Sequence, residues 1–319
     1  MKTIRTALIL TLLGLGFYVH AQSSLTNGLV AFYPFSGNAN DMTGNGNDGT
    51  IVNATLTGDR LGNPNQAFLF NGSNSWIQTS GFWPALGSNA VSASCWIYYQ
   101  GGVPISYYQS TMMNWGGDGV TFGSRFQFRL TDGGNNTTTL CVDGVGNGSV
   151  ANTSIPSYKW VHVAVVRPPS GGLNDMMFFV NGRQVPTIQQ SDNSVFFNII
   201  ASNPLAIGRG EPNNPYNAHL FFDGSIDEVR LYNRALSTNE VAQIYALEAP
   251  TYLNLKKAVY LDSFTMKIGT NYQVQVSGDL INWTNWGSSF MATNNYWATT
   301  NYWNVDDWNQ LFFRLQVVP

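Results

Sequence analysis

Charge is scarce in this chain. Asp, Glu, Lys and Arg make up 10% of its 319 residues, and the net charge is −3. Without clustered Lys and Arg, nothing is available to displace counterions from a phosphate backbone, so nucleic acid is excluded as a partner. There are only two cysteines, Cys95 and Cys141, and three histidines. That set argues against a zinc site, since one of the histidines, His20, falls in the N-terminal leader described next. Beyond Leu15 no stretch approaches the roughly 20 apolar residues that a membrane-spanning helix needs.

The leader itself is informative. Lys2 and Arg5 precede an apolar run, Ala7 to Leu15, and Val19-His20-Ala21 approximates a small-residue cleavage site. Residues 1–21 therefore read as a signal peptide, with the mature chain starting at Gln22 and residing outside the cell, on its surface or in the periplasm. Export permits a disulfide between Cys95 and Cys141. Sequence supplies neither the distance nor the Cβ direction that would decide it.

From Leu29 to Tyr232, short β-branched and aromatic runs alternate with Gly, Asn, Asp and Pro, as in "QAFLFNG", "VSASCWIYY" and "RFQFRLTDGGNNTTTLCVDG". Asn181-Gly182 in "MMFFVNGRQV" is a tight-hairpin signal. Repeated strands without intervening helices predict an antiparallel β-sandwich over 22–248. One short helix closes it. Ser237-Thr238-Asn239-Glu240 forms a capping box, and Val241, Ile244 and Tyr245 follow at helical spacing. Residues 249–319 then read as a second, smaller β module, opening on a Glu248-Ala249-Pro250 linker. "NYWATTNYWN" in this tail carries the same three residues twice, six positions apart.

Three blocks, "NGLVAFYPFSGNANDMTGNGNDGTIVNA", "KWVHVAVVRPP...FFVNGRQV" and "GSIDEVRLYNRALSTNEVAQIY", resemble in composition and order the start, middle and end of a bacterial laminin-G-like domain over about Leu25 to Leu247. The resemblance implies an all-β concanavalin A-like jelly roll of two antiparallel sheets. It implies binding rather than chemistry as the usual role, with calcium in several members and glycans in some. The tail, with "YQVQVSGDLINW" and "FFRL", is similar to a small C-terminal module of exported bacterial proteins.

Two carboxylates, Asp227 and Glu228, lie inside the strand "GSIDEVRLY". Strict alternation would put Asp227 on the face of Val229 and Leu231, in the core, and Glu228 with Arg230 and Tyr232. A carboxylate turned inward needs a partner. The resemblance brings the first and last strands of the domain together, so that one calcium ion is expected on Asp41, Asp227 and the carbonyls near Gly46 and Asn47. Relatives often carry His where Asp48 stands. In the simpler alternative, Asp227 accepts backbone N–H groups or pairs with Arg234, and Asp41 caps a turn. Glu228 is read as a pair with Arg230. Catalysis is disfavoured: neighbouring strand residues point oppositely and cannot flank one glycosidic bond. The Glu-x-Asp-x-x-Glu strand of laminarinase-type relatives is absent. Glu240 is used as a cap, and His162 and His219 suggest no nucleophilic triad.

Gly44 to Gly49 matches G-x-G-x-x-G literally, but a strand-like stretch follows where a dinucleotide site needs a helix. Sugars are commonly gripped by an aromatic face with planar polar groups. Trp76, Trp83, Tyr107, Tyr108, Trp115 and Tyr216 fall in or near loop-like segments, and Tyr296, Trp297, Tyr302 and Trp303 form the tail doublet. Of these, Trp115, Tyr216, Trp297 and Trp303 are the candidate ligand contacts, weighed against the general tendency of large aromatics to be buried. Trp96, Trp160 and Trp283 are assigned to the core. The expected function is thus an exported, non-catalytic protein binding a glycan through a calcium-stabilised domain. The alternatives are an adhesion module for an extracellular protein and a divergent glycanase or polysaccharide lyase.

Overall fold

The structure is a computed structural model that describes residues 25–101, 110–133, 137–145, 148–188, 196–212, 221–250, 258–259, 261–263, 266–298, 303–304 and 311–319, without the side chains of 258, 259, 262, 303 and 304. The expected signal peptide, 1–21, lies outside these residues. The chain divides after Pro250 into two compact units.

Among the described residues the first unit contains sixteen strands: Leu29–Tyr33 (β1), Gly49–Val52 (β2), Thr55–Thr57 (β3), Ala67–Asn71 (β4), Trp76–Thr79 (β5), Val91–Tyr99 (β6), Ser110–Gly116 (β7), Arg125–Asp132 (β8), Thr138–Asp143 (β9), Gly148–Ala151 (β10), Trp160–Arg167 (β11), Met177–Val180 (β12), Arg183–Val185 (β13), Thr187–Ile188 (β14), Ala206–Ile207 (β15) and Asp223–Tyr232 (β16). They form two antiparallel sheets. The first runs β13-β12-β11-β6-β16-β4-β3, with β1 also paired to β16; the second runs β14-β10-β9-β8-β7-β15-β5-β2. Inward-facing residues of both sheets make one core, including Phe68 and Phe70 of β4, Ile97 of β6, Trp115 of β7, Phe126 and Phe128 of β8, and Val163 of β11. The two-sheet sandwich read from the sequence is therefore what forms.

Strand β11 shows why some strands lack polar alternation. Val161, Val163 and Val165 enter the inter-sheet core, while Ala164 and Val166 face the opposite way and are buried as well. The helix Thr238–Glu248 (α1) covers that outer face, docking Val241 and Ile244 on Ala164, Val166, Phe179 and Tyr232. A strand covered on both faces reads as a continuous apolar run. The capping box forms: Glu240 N donates to Ser237 Oγ at 3.3 Å, and Ser237 N donates to Glu240 Oε2 at 2.8 Å. Asn181 and Gly182 both take positive φ, 48° and 72°, in the turn between β12 and β13, as a tight twisted hairpin requires.

Both cysteines are free and buried. Cys95 points into the core, whereas Cys141 sits opposite Arg129 on the outward side of the second sheet. The pairing that export would permit is not made.

The second unit holds Ala258–Val259 (β17), Asp262–Ser263 (β18), Asn271–Ser277 (β19), Thr284–Asn285 (β20), Phe290–Met291 (β21), Trp297–Ala298 (β22), Trp303–Asn304 (β23) and Phe312–Val318 (β24). β19 pairs with β20, β21 and β24 around a small core of Met266, Tyr272 and Ala292. Trp297 and Trp303 of the doublet fall in separate ladders, β22 with β18 and β23 with β17; Tyr302 lies outside the described residues. Trp283 and Trp160, assigned to the core, are both only half-buried. Trp283 lies under the Arg314 guanidinium, 4.2 Å from its ring, and Trp160 beside Tyr98.

Gly224 in β16 has φ of 140°, and a Cβ there would collide with the Tyr98 carbonyl across the ladder. Gly224→Ala is expected to destabilise the fold by roughly 2–4 kcal/mol. Denaturant midpoints of wild type and variant measure this; coincident curves would contradict the tight β6–β16 approach.

Candidate functional site

The acidic strand breaks alternation. Ile226 and Asp227 stand opposite Ile97 and Trp96, and Arg230 stands opposite Ser94, so three residues of β16 span two of β6. The extra residue is Glu228, at φ 52°. This is a β-bulge. It occurs where the other neighbour of β16 changes, from β4 at Ile226 to β1 at Val229. Ile226, Val229 and Leu231 all reach the core, and Asp227 sits instead on the outer face with Trp96. Asp227 is buried, as expected, but on the opposite side of the sheet from Val229 and Leu231.

Its partner is Arg60, from the loop after β3, which is held in place by Asp59 accepting Leu61 N and Asn63 N at 2.8 Å each. Arg60 Nη1 lies 2.7 Å from Asp227 Oδ2, and Arg60 Nε donates to the Glu248 carbonyl at 2.6 Å. Arg230 lies 3.3 Å from Glu228, the pair read from the sequence, and 2.5 Å from Glu248. Trp96 Nε1 donates to the other Glu248 oxygen at 2.9 Å. Two guanidinium groups and three carboxylates thus fasten the end of α1 to the sheet. Burial, then Glu228, raises Asp227 to about 8 against the pull of Arg60. Burial raises Glu248 to about 7 and lowers His162, also beneath α1, to about 3.

The expected calcium ligands have other occupations. Asp41 Oδ1 accepts Phe32 N at 3.0 Å, Thr43 N at 3.0 Å and Thr43 Oγ1 at 2.8 Å. Its Oδ2 accepts Thr43 Oγ1 at 2.9 Å and Asn47 Nδ2 at 3.2 Å. The Asn47 carbonyl accepts Tyr33 OH at 2.7 Å, and Gly46 contributes a positive-φ turn. Asp41 and Asp227 share no hydrogen-bond partner, and the cation beside Asp227 is a guanidinium. Among the described residues, no group of three or more His, Cys, Asp or Glu is placed to hold a metal. In this structure Asp41 is engaged by Phe32, Thr43 and Asn47, and Asp227 by Arg60.

Trp115 is fully buried, stacked on Phe126 at 4.5 Å with Nε1 donating to the Ala85 carbonyl at 3.0 Å. It belongs to the core and cannot touch a ligand. Trp297 stacks on Phe290 at 4.8 Å in the small core of the second unit. Tyr216 and the side chain of Trp303 lie outside the described residues.

The residues missed from sequence lie on the outward face of the second sheet. Strand β8 sends Phe126, Phe128 and Leu130 inward, and Arg125, Gln127 and Arg129 outward, yet all six are buried. Arg125 bridges Asp143 at 2.5 Å and Glu211 at 2.6 Å, and Arg129 reaches Asp143 at 3.3 Å. Against burial, Arg129 and Arg125 hold Asp143 below the usual carboxylate range. The same face leaves buried polar atoms without a protein hydrogen-bond partner: both amide atoms of Asn114, Arg129 Nε and Nη1, and Glu211 Oε1. Along β2, β5 and β15 the sheet opens into a groove of about 610 Å³, lined by residues that include Thr50, Trp76, Gln78, Ser80, Asn203 and Arg209. The period-two pattern of "RFQFRL" carried the polar face in sequence; its burial was not legible there.

Two outcomes follow. Between about pH 4 and 8 the folded chain retains protons on Asp227 and Glu248 that the unfolded chain releases, so this contribution to stability is full at acid pH and lost as pH rises. His162 acts oppositely, losing its contribution as pH falls below about 6.5. Asp227→Asn should flatten the decline between pH 5 and 8, by up to about 1.4 kcal/mol per pH unit; parallel pH–stability curves would reassign the buried proton. Melting curves in excess calcium and in chelator test the shared ion: a calcium-dependent rise abolished in both Asp41→Ala and Asp227→Ala would support it, and coincident wild-type curves would remove it.

Residues 71–242, more than half of the chain, match the family Laminin_G_3, described as the concanavalin A-like lectin/glucanases superfamily. No curated protein sequence matches the chain. Similar solved structures include domain 4 of AbnA, a GH43 extracellular arabinanase from Geobacillus stearothermophilus, in complex with arabinotriose. It is 23% identical with a TM-score of 0.48, over 68% of this chain and 98% of that one. The botulinum neurotoxin serotype D/C binding domain is 15% identical with a TM-score of 0.48, over 78% of this chain and 58% of that one. A SAP-like pentraxin from Limulus polyphemus is 14% identical with a TM-score of 0.37, over 51% and 74%. Likenesses this distant say nothing about what the present chain binds. Among the described residues no helix is long and apolar enough to cross a membrane. On the sequence match and the two-sheet sandwich together, the chain belongs to the Laminin_G_3 family of the concanavalin A-like lectin/glucanases superfamily.

Proposed function

We propose that this chain is an exported, non-catalytic protein whose sandwich binds a glycan on the outward face of its second sheet. The observation that carries this reading is a groove of about 610 Å³ on a face where Asn114, Arg129 and Glu211 keep buried polar atoms with no partner in the protein. Each such atom costs about 1–3 kcal/mol if nothing completes it. A face that retains several of them suits a ligand rich in both donors and acceptors, as a sugar chain is. Trp76 and the planar groups of Gln78, Asn203 and Arg209 supply the aromatic and hydrogen-bonding surface of the groove.

Catalysis finds less support. Asp143 and Glu211 are the two carboxylates on this face, and both are drawn onto one guanidinium, Arg125. A general acid needs a raised pKa, and Asp143 is held low. The second reading, a protein ligand, has its own observation: Val120, Phe122 and Phe196 are 80%, 63% and 59% exposed. Phe122 adjoins Gly123, which packs against the Phe196 carbonyl. Clustered exposed apolar side chains suit a protein surface.

A glycan array separates these readings. Wild type should bind at least one glycan, and Trp76→Ala should weaken that binding tenfold or more, about 1.4 kcal/mol. Silence on every glycan would favour the protein partner, and release of reducing or unsaturated ends from any glycan would replace binding with catalysis.

A further inference from the structure

Among the described residues lining the groove, Arg209 is the one charged side chain, and none is a carboxylate. This sets it apart from Arg60, Arg125, Arg129, Arg230 and Arg234, each of which lies within 4 Å of an Asp or Glu. Among the described residues Arg209 has no such partner. It is nonetheless held firmly. Its guanidinium carbon lies 4.3 Å from the centre of the Trp76 ring, and Nη2 donates to Gln78 Oε1 at 3.1 Å. Gln78 is fixed in turn by donating Nε2 to the main-chain carbonyls of Leu205 at 3.0 Å and Pro204 at 3.3 Å. Phe221 flanks the other ring contact of Trp76, at 6.1 Å. A guanidinium positioned by an indole and by an amide that is itself anchored has lost most of its freedom before any ligand arrives.

Such a group has an unmet requirement. Arg209 Nε is buried with no acceptor, although the side chain as a whole is partly open to solvent. Burial draws Arg209 below the ordinary arginine value with no anion to offset it, whereas Arg125 and Arg230, beside carboxylates, are raised despite burial. A neutral sugar offers such a cation only hydroxyl dipoles. A carboxylate offers two acceptors in the plane of the guanidinium fork. One cation in the groove matches the carboxylate of the single sugar residue that reaches it.

We propose that the Arg209 end of the groove takes a carboxylate-bearing sugar, a uronate residue, and that Gln78 and Trp76 position the guanidinium for it. This rests on the reading that the groove binds a glycan and names the class of glycan.

Binding of the full chain to alginate and to polygalacturonate, each compared with its own carboxyl-reduced form, tests the proposal. At least one acidic polymer should bind about tenfold or more tighter than its reduced counterpart, with affinity falling as sodium chloride rises. Arg209→Gln should bring the acidic polymer to the level of the reduced one at an unchanged melting temperature. Arg209→Lys, which retains charge without the fork, should fall between, so the test survives a poorly folding glutamine variant. Equal affinity for acidic and reduced forms, both lost in Trp76→Ala, would leave the groove standing and overturn the uronate. A sulfated glycan bound where neither uronate is bound would overturn it in favour of sulfate. Binding of neutral glycans alone would also overturn it, and failure to bind any glycan would remove the underlying reading as well.

Discussion

The bulge at Glu228 is the constraint from which the rest of the first unit follows. One additional residue in β16 lets the strand exchange β4 for β1 as its neighbour while Ile226, Val229 and Leu231 all remain in the core. The same residue turns Asp227 to the outer face, where Arg60 meets it and where Arg230 and Glu248 complete the set. Removing one member of a buried ionic set leaves an uncompensated charge, which is far more costly than the set is favourable as a whole. The network therefore specifies where α1 ends more than it adds net stability.

The two outer faces of the sandwich are treated differently. On the first sheet, α1 and the Arg60 loop close over the charges, and the carboxylates are engaged by guanidinium, indole and backbone donors. On the second sheet, Arg125 and Asp143 are paired, and Asn114 and Arg129 keep buried atoms with no partner in the protein, as Ser94, His162 and Tyr232 do on the first. Buried polar atoms of this kind are completed by water or by a ligand. What distinguishes the second sheet is the groove along β2, β5 and β15, for which the helix-covered first sheet has no counterpart among the described residues.

Much of the architecture was legible because it is written locally. The Asn181-Gly182 hairpin, the Ser237–Glu240 capping box and the period-two pattern of β8 each depend on neighbours a few residues apart. The Glu228–Arg230 pair was readable for the same reason. What escaped was non-local. Arg60 and Asp227 are 167 residues apart in sequence, and no spacing rule joins them. The bulge depends on a change of neighbouring strand, which alternation within β16 cannot reveal. Trp115 was misplaced because the Asn and Gly around it resemble loop chemistry, whereas it lies in a strand whose seven residues are all buried. The polar groups of β8 were visible as a stripe, but their burial is set by distant parts of the chain.

The two thiols bear on where the protein can mature. Cys95 is enclosed between the sheets, Cys141 faces away from it, and neither is bonded. The sandwich closes without any covalent staple. Its assembly therefore asks for no oxidant and no disulfide isomerase, and the burial of both thiols keeps them from redox chemistry in the folded state.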